Sequence, residues 1–329
     1  MLSKPQIVSG LIFLACSQLA HAVASAEAPS RMHALGNVPK VVNSKQGLEQ
    51  YRAQMSGEAK VDDFGVMLPL GLKAHDIVNL IAPSQKVGLA TLVGAKAWPY
   101  RANTYVAIAC FVASKKEFDS EQKQSKEPNC RKGQDGNNHN PEKSVYLGLF
   151  EMKPGDSKPQ LIASYGKPLD IKTSWKTSQL MAPLRKLTQA ANAPLSKETA
   201  LLPEDYLRFD FAPFKITDNE TAIGLRFGWS DSSPEGSSFF EAVALFRVKG
   251  DKLVNILTEP IYYYQDLAGS WNKDGSRNHN LREGQNILSV LPSKTIDHFD
   301  LKIRTLNGKW KQVFVWDEKA GRYLPTNSK

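Results

Sequence analysis

The feature that most constrains the fold is a segment that occurs twice in the chain. Residues 145–175 align with residues 241–271 after a shift of 96 positions, and 7 of 31 residues are identical. Composition alone predicts about two identities in a segment of this length. The shared residues of the first copy are Leu149, Phe150, Lys153, Leu161, Asp170, Ser174 and Trp175. We therefore predict a duplicated β unit.

Each copy has the pattern of a β-hairpin. An apolar strand runs to a Gly-Asp turn, at Gly155-Asp156 or Gly250-Asp251, and a second strand ends at Asp-x-x-x-Ser-Trp. A more diverged third hairpin surrounds Asn307-Gly308. Repeated meanders of this kind predict an all-β fold with one or two accessory helices. The arrangement is either a two-lobed β-sandwich or a propeller-like array.

Composition shifts divide the chain into four parts. Residues 1–26 have the pattern of a secretory signal peptide, and residues 27–60 form a polar segment with a short helix at 47–55. Residues 61–200 form the first β unit, with a solvated polar loop at 114–143 and a linker helix at 178–191. Residues 201–329 form the second β unit and the C-terminal hairpin.

The N-terminal segment predicts export to the periplasm. Lys4 precedes an apolar run of about ten residues, and the small residues before Ala22 and Ala26 offer two cleavage sites. The run is too short for a membrane-spanning helix, which needs roughly twenty residues, and no later segment is as apolar. The alternative is lipidation at Cys16, although Phe13 stands where a lipobox usually has Leu.

Charge and cysteine content agree with export. The net charge of +9 falls to +8 when the signal takes Lys4 away, which favours an anionic envelope polymer or a protein as partner. Export argues against nucleic acid, and a basic surface that only maintains solubility explains the same charge. Cys110 and Cys130 are the cysteines left after cleavage, so we predict that they form one disulfide. Such a link contributes about 3 kcal/mol by constraining the unfolded chain.

The candidate binding site lies at residues 262–280. It combines Tyr262, Tyr263 and Tyr264 with Asp266, Trp271, Asp274, Arg277 and His279. Alternation along a strand places Tyr262 and Tyr264 on one face and Tyr263 on the other, so at least one ring should be exposed or lie at a cleft. The repeat assigns Trp271 to the buried frame, and we therefore expect Tyr263 or Arg277 to line an accessible surface. The alternative is a strand packed on both faces.

One candidate cation site lies within this segment. Side-chain oxygens recur at two-residue intervals, as in calcium loops, at Asn272, Asp274, Ser276 and Asn278. The four supply a single carboxylate, however, and an Asp-Gly turn between strands explains the same residues. The sequence indicates no other cofactor.

Three functional classes fit the sequence. The leading one is a non-enzymatic extracytoplasmic binding protein, of the inhibitor or immunity type that captures a protein partner, because zinc, nucleophile-elbow and phosphate-loop motifs are missing from the sequence. The second is an envelope-polymer hydrolase that uses Asp266, Asp274 and His279. The third is a structural module of an envelope assembly.

Overall fold

The computed structural model describes residues 30–32, 62–131, 142–175, 180, 200–233 and 236–326. The predicted signal peptide, the helix at 47–55 and almost all of the linker helix at 178–191 lie outside the described residues. The short strand β1 spans Ser30–Met32. The two α-helices described are α1 (Ala74–Ile81) and α2 (Lys115–Gln124), and a 3-10 helix spans Val87–Leu89.

Three four-stranded antiparallel meanders follow one another in the chain. The first contains β2 (Ala90–Ala97), β3 (Thr104–Val112), β4 (Lys143–Glu151) and β5 (Gln160–Ser164). The second contains β6 (Asp205–Asp210), β7 (Ile223–Ser233), β8 (Gly236–Lys249) and β9 (Lys252–Trp271). The third contains β10 (Arg277–Thr295), β11 (His298–Thr305), β12 (Lys311–Asp317) and β13 (Arg322–Pro325).

The long strand β10 joins the second meander to the third. Its first half pairs with β9 from Arg277 to Gln285, and its second half pairs with β11 from Asn286 onward. The first meander touches the same continuous sheet through one parallel bridge between Ser164 and Lys252. Strand β1 pairs with β10 at residues 279–281.

The meanders stack face to face. Alternate residues along a strand point to opposite faces of the sheet, so the middle sheet packs against the first sheet on one face and against the third on the other. In β8, Ala242, Ala244 and Phe246 pack against the first sheet, whereas Val243 and Leu245 pack against the third. Helix α1 covers the outer face of the first sheet. Strand β3 is accordingly buried on both faces, which agrees with its almost wholly apolar sequence.

Helix α1 approaches the first sheet closely at one glycine. Ile77, Val78 and Ile81 form its buried face. A β-carbon on Gly148 would lie 2.2 Å from the side chain of Ile81, so a larger residue at this position would push the helix away. The packing of α1 on the first sheet therefore depends on Gly148 as well as on the apolar residues of the helix.

The polar stretch at 114–143 is more ordered than a solvated loop. Ser114 begins α2 with a capping box, in which its hydroxyl accepts from the Glu117 N–H and the Glu117 carboxylate accepts from the Ser114 N–H. Glu121 forms a buried ion pair with Lys143 at the start of β4. The prediction of a loop over the whole stretch is therefore wrong for residues 115–124.

The disulfide prediction is confirmed, since Cys110 of β3 is bonded to Cys130. The all-β prediction with accessory helices is also confirmed, and the sheet is not closed. Among the described residues, no helix combines the length and the apolar character needed to cross a membrane.

Candidate functional site

Strand β9 has one edge that no strand of the described chain covers along its middle. Its other edge pairs with β8 throughout the hairpin. The open edge meets β5 at Lys252 and β10 from Tyr262 onward. Between these points, in the described ranges, residues 253–261 have no ladder partner on that side. The three meanders therefore leave a gap where they meet.

A cleft of about 440 Å³ occupies this gap, a volume within the roughly 300–1,000 Å³ typical of ligand sites. Its wall is contributed by the segment that follows β5, by β9 and by the start of β13. The lining residues are Tyr165, Asp170, Ile171, Lys172, Ser174, Ala200, Asn255, Thr258, Glu259 and Arg322. Most of these side chains are polar, and four carry a charge or can do so.

Glu259 is the carboxyl group most affected by its surroundings. Burial raises its pKa from the ordinary value of 4.5 to about 7, although the nearby positive charge of Arg322 acts in the opposite direction. Within the described chain, no donor forms a hydrogen bond to this carboxyl group. The group is therefore divided between its neutral and ionised forms near neutral pH, which is common for side chains at functional sites.

Hydrogen bonds favour the ionised form of Asp170. Lys167 Nζ donates to its Oδ2 at 2.6 Å, and the Tyr165 hydroxyl donates to its Oδ1 at 2.7 Å. Both hydrogen bonds lower the pKa of Asp170, with that from Lys167 the larger effect. Burial, followed by the bond to Asp170, raises the pKa of Tyr165, so the tyrosine stays neutral. One cleft thus contains a carboxyl group whose pKa is lowered, Asp170, and one whose pKa is raised, Glu259.

The two other charged residues of the cleft are cations. Lys172 and Arg322 line it from the segment after β5 and from β13. In the described part of the chain, neither of them forms an ion pair. With Asp170 neutralised by Lys167, these cations give the cleft a net positive character.

The predicted tyrosine surface is buried. Tyr262, Tyr263 and Tyr264 are 0, 4 and 2% exposed, so the prediction that one ring is exposed is wrong. Tyr262 packs against Phe239, and its hydroxyl donates to Glu283. Tyr263 lies against Gly284, where a β-carbon would come within 2.3 Å of the ring. Both faces of this part of β9 are covered, which agrees with the alternative of a strand packed on both faces.

Trp271 also differs from its prediction. It is 69% exposed at the tip of the β9–β10 hairpin, whereas the repeat placed it in the buried frame. The guanidinium group of Arg277 lies 5.2 Å from the centre of its ring. Its counterpart Trp175 packs edge-on against Trp229 and Phe240. Among the residues that the structure describes, no sheet layer covers the Trp271 side chain.

The residues of the hydrolase alternative are only partly brought together. His279 Nδ1 lies 2.7 Å from Oδ1 of the buried Asp266. Asp274 lies in the turn at the hairpin tip, where its carboxylate accepts from the N–H and hydroxyl of Ser276. Trp271, which precedes the tip turn, lies five positions after Asp266, and this corresponds to about 16 Å along the strand. Asp274 therefore does not join the pair of Asp266 and His279, and the three residues do not form the cluster that would favour a hydrolase.

The four candidate calcium ligands do lie close together in the tip turn. The Asn272 amide donates to Ser276 Oγ at 2.9 Å and to Asn278 Oδ1 at 3.2 Å. Ser276 in turn donates to Asp274. Oxygens of Asp274, Ser276 and Asn278 therefore accept hydrogen bonds from within the turn, which accords with the Asp-Gly turn alternative.

The cleft residues were missed because their signals in the sequence are weak. Glu259 interrupts an apolar strand at the repeat position where the first copy has Ala163, and this replacement is the one clue to it. Asp170 was assigned to the structural frame. Arg322 belongs to the last strand, and only the stacking of the third meander brings it to β9. No protein-family model, no curated protein and no solved structure matches the chain.

Proposed function

We propose that the protein is an extracytoplasmic, non-enzymatic binding protein that holds an anionic group in the cleft beside β9. The observation that carries the proposal is the presence of Lys172 and Arg322, free of ion pairs within the described chain, on the wall of one cleft. Arginine binds planar oxyanions through two parallel N–H donors. The extracytoplasmic location rests on the signal pattern of residues 1–26.

Of the two partner classes, an anionic envelope polymer fits the cleft better than a folded protein. A stable protein interface usually buries about 800 Å² on each partner, whereas this site is a single cleft of about 440 Å³. A polymer carries acidic groups on a chain slender enough to enter it. The excess of basic residues in the mature chain would attract such a polymer at longer range.

Titration calorimetry of the chain without residues 1–26 tests this proposal, with trigalacturonate as a carboxylate probe at pH 6. Arg322→Gln should weaken binding about 10- to 100-fold, because a charge-assisted hydrogen bond contributes roughly 1.5–3 kcal/mol. Arg304→Gln is the matched control, since Arg304 is exposed on β11 and lies outside the cleft. Equal binding by both variants and the unmodified chain would reject the site.

A hydrolase acting through different residues is the second candidate. Asp170 and Glu259 line the same cleft, and their surroundings shift their pKa values in opposite directions, as in enzymes that pair an acid with a base. Release of reducing ends from oligogalacturonate, lost in Asp170→Asn, would support this candidate. Binding without any release supports the non-enzymatic function.

A further inference from the structure

Three polar side chains of strand β9 line the cleft, and two of them already donate hydrogen bonds within the protein. The Asn255 amide donates to the carbonyl oxygens of Leu245 and Leu257, at 3.2 and 3.0 Å. The Thr258 hydroxyl donates to Asn255 Oδ1 at 3.1 Å. The hydrogens of both side chains are therefore used within the protein. Glu259 is the β9 side chain that remains to contact a ligand.

The surroundings of Glu259 favour its neutral form. Arg322 of β13 is the charge that favours ionisation, and the other titratable groups of the cleft are Tyr165, Asp170 and Lys172 from the segment after β5. Pro260 follows Glu259 and has no N–H to donate. An anion that entered beside Arg322 would occupy the N–H donors of Arg322. It would also bring a negative charge close to the Glu259 carboxyl group. Both effects would disfavour an ionised Glu259 further.

We propose that Glu259 binds the ligand as a neutral carboxylic acid, donating its O–H to an oxyanion that Arg322 also holds, so that binding takes up one proton from solvent. This inference rests on the proposed anion-binding function. The ligand class it specifies is an oxyanion with free acceptor oxygens, such as a carboxylate or a sulfate. No covalent bond to the ligand forms or breaks.

The pH dependence follows from linkage. An acid that must be protonated in the complex leaves affinity constant below its free pKa and lowers it about tenfold for each pH unit above. With a pKa of about 7 for Glu259, about half a proton should be taken up for each ligand bound at pH 7, and nearly one at pH 8.

The test is titration calorimetry in two zwitterionic buffers of different ionisation enthalpy, between pH 6 and 8.5. Trigalacturonate and inorganic sulfate are the probes, because neither titrates in this range, and their comparison separates a carboxylate polymer from a sulfate source. Glu259→Gln replaces the acid with an amide, which donates a hydrogen bond but does not titrate in this pH range. Its proton uptake and pH dependence should both be lost. Glu151→Gln, which lies outside the cleft, should retain them.

Two different failures are distinguishable in this experiment. Binding by the unmodified chain that is independent of pH and takes up no proton would overturn the role of Glu259 and leave the anion site intact. Absence of binding for both probes at every pH would overturn the anion site itself. The proton count on the unmodified chain does not depend on how well any variant folds.

Discussion

Phe150 and Phe246 lie at corresponding places in two successive sheets. Each is the first residue after a β-bulge in its hairpin, between Leu149 and Phe150 or between Leu245 and Phe246. Phe150 points to α1 and Phe246 to the first sheet, so each ring faces the layer that precedes its own. The preceding leucine of each pair faces the opposite way, as alternation along a strand requires. A duplicated β unit would produce this correspondence.

If the two hairpins have the same structural role, truncating either phenylalanine should destabilise the protein to a similar extent. Both rings are fully buried, so Phe150→Ala and Phe246→Ala should each cost about 3–5 kcal/mol. Urea denaturation followed by circular dichroism measures the cost. Phe118→Ala on α2 is the control and should cost much less, because Phe118 is partly exposed. A cost below that of the control at either buried position would contradict the shared role.

The exposure of Trp271 gives a second prediction. Trp271→Ala should change stability by no more than about 0.5 kcal/mol, as exposed substitutions usually do. Trp229 is buried and donates its indole N–H to Leu202 O at 2.7 Å, so Trp229→Ala should cost about 3–5 kcal/mol. Thermal melts of the two variants compare them directly. A large loss for Trp271→Ala would show that the tip is packed.

Removing one partner of the ion pair between Lys143 and Glu121 should destabilise the protein strongly, whereas replacing both partners by apolar residues should change its stability little. Both side chains are buried, and burial lowers the pKa of Lys143 despite the hydrogen bond to Glu121. Removing one partner by Lys143→Met should cost about 3–5 kcal/mol, because the remaining charge is left uncompensated. The double variant Lys143→Met with Glu121→Leu should recover most of this loss. Additive losses in urea denaturation would contradict the coupling.

Glu259 should make stability depend on pH. Its pKa is raised on folding, so its contribution is fully present below pH 4.5 and is lost as pH rises to about 7. Relative to Glu259→Gln, the unmodified chain should lose up to about 3 kcal/mol between pH 4 and pH 8, since one pKa unit corresponds to about 1.4 kcal/mol. The difference in urea midpoints between the two proteins at each pH measures this loss. A constant difference would show that Glu259 is not desolvated.

Local patterns in the sequence identified most of the strands, because the period-two alternation of apolar residues reflects which faces are buried. The same alternation could not show how many layers cover a strand. Tyr262 and Tyr263 therefore appeared to include an exposed ring, although both faces of β9 are covered there. The repeat predicts a buried Trp271 because the residue is preserved in both copies, although its side chain is exposed at the hairpin tip.

The cleft could not be predicted because it depends on contacts between distant parts of the chain. Asp170 follows the first meander, Glu259 belongs to the second and Arg322 to the third, and the three share no motif. The rise in the pKa of Glu259 comes from burial by those meanders, and no neighbouring residue in the sequence indicates it. Charge composition favoured an anionic partner but carried no information on where it would bind.

The location of a bound anion distinguishes the cleft from the site expected at residues 262–280. A crystal structure of the chain without residues 1–26, grown at pH 6 with trigalacturonate, measures that location directly. We predict a carboxylate of the ligand beside Arg322 and Glu259, at the open edge of β9. A ligand bound instead against Trp271 and Arg277 at the hairpin tip, with the cleft unchanged, would contradict the proposed site.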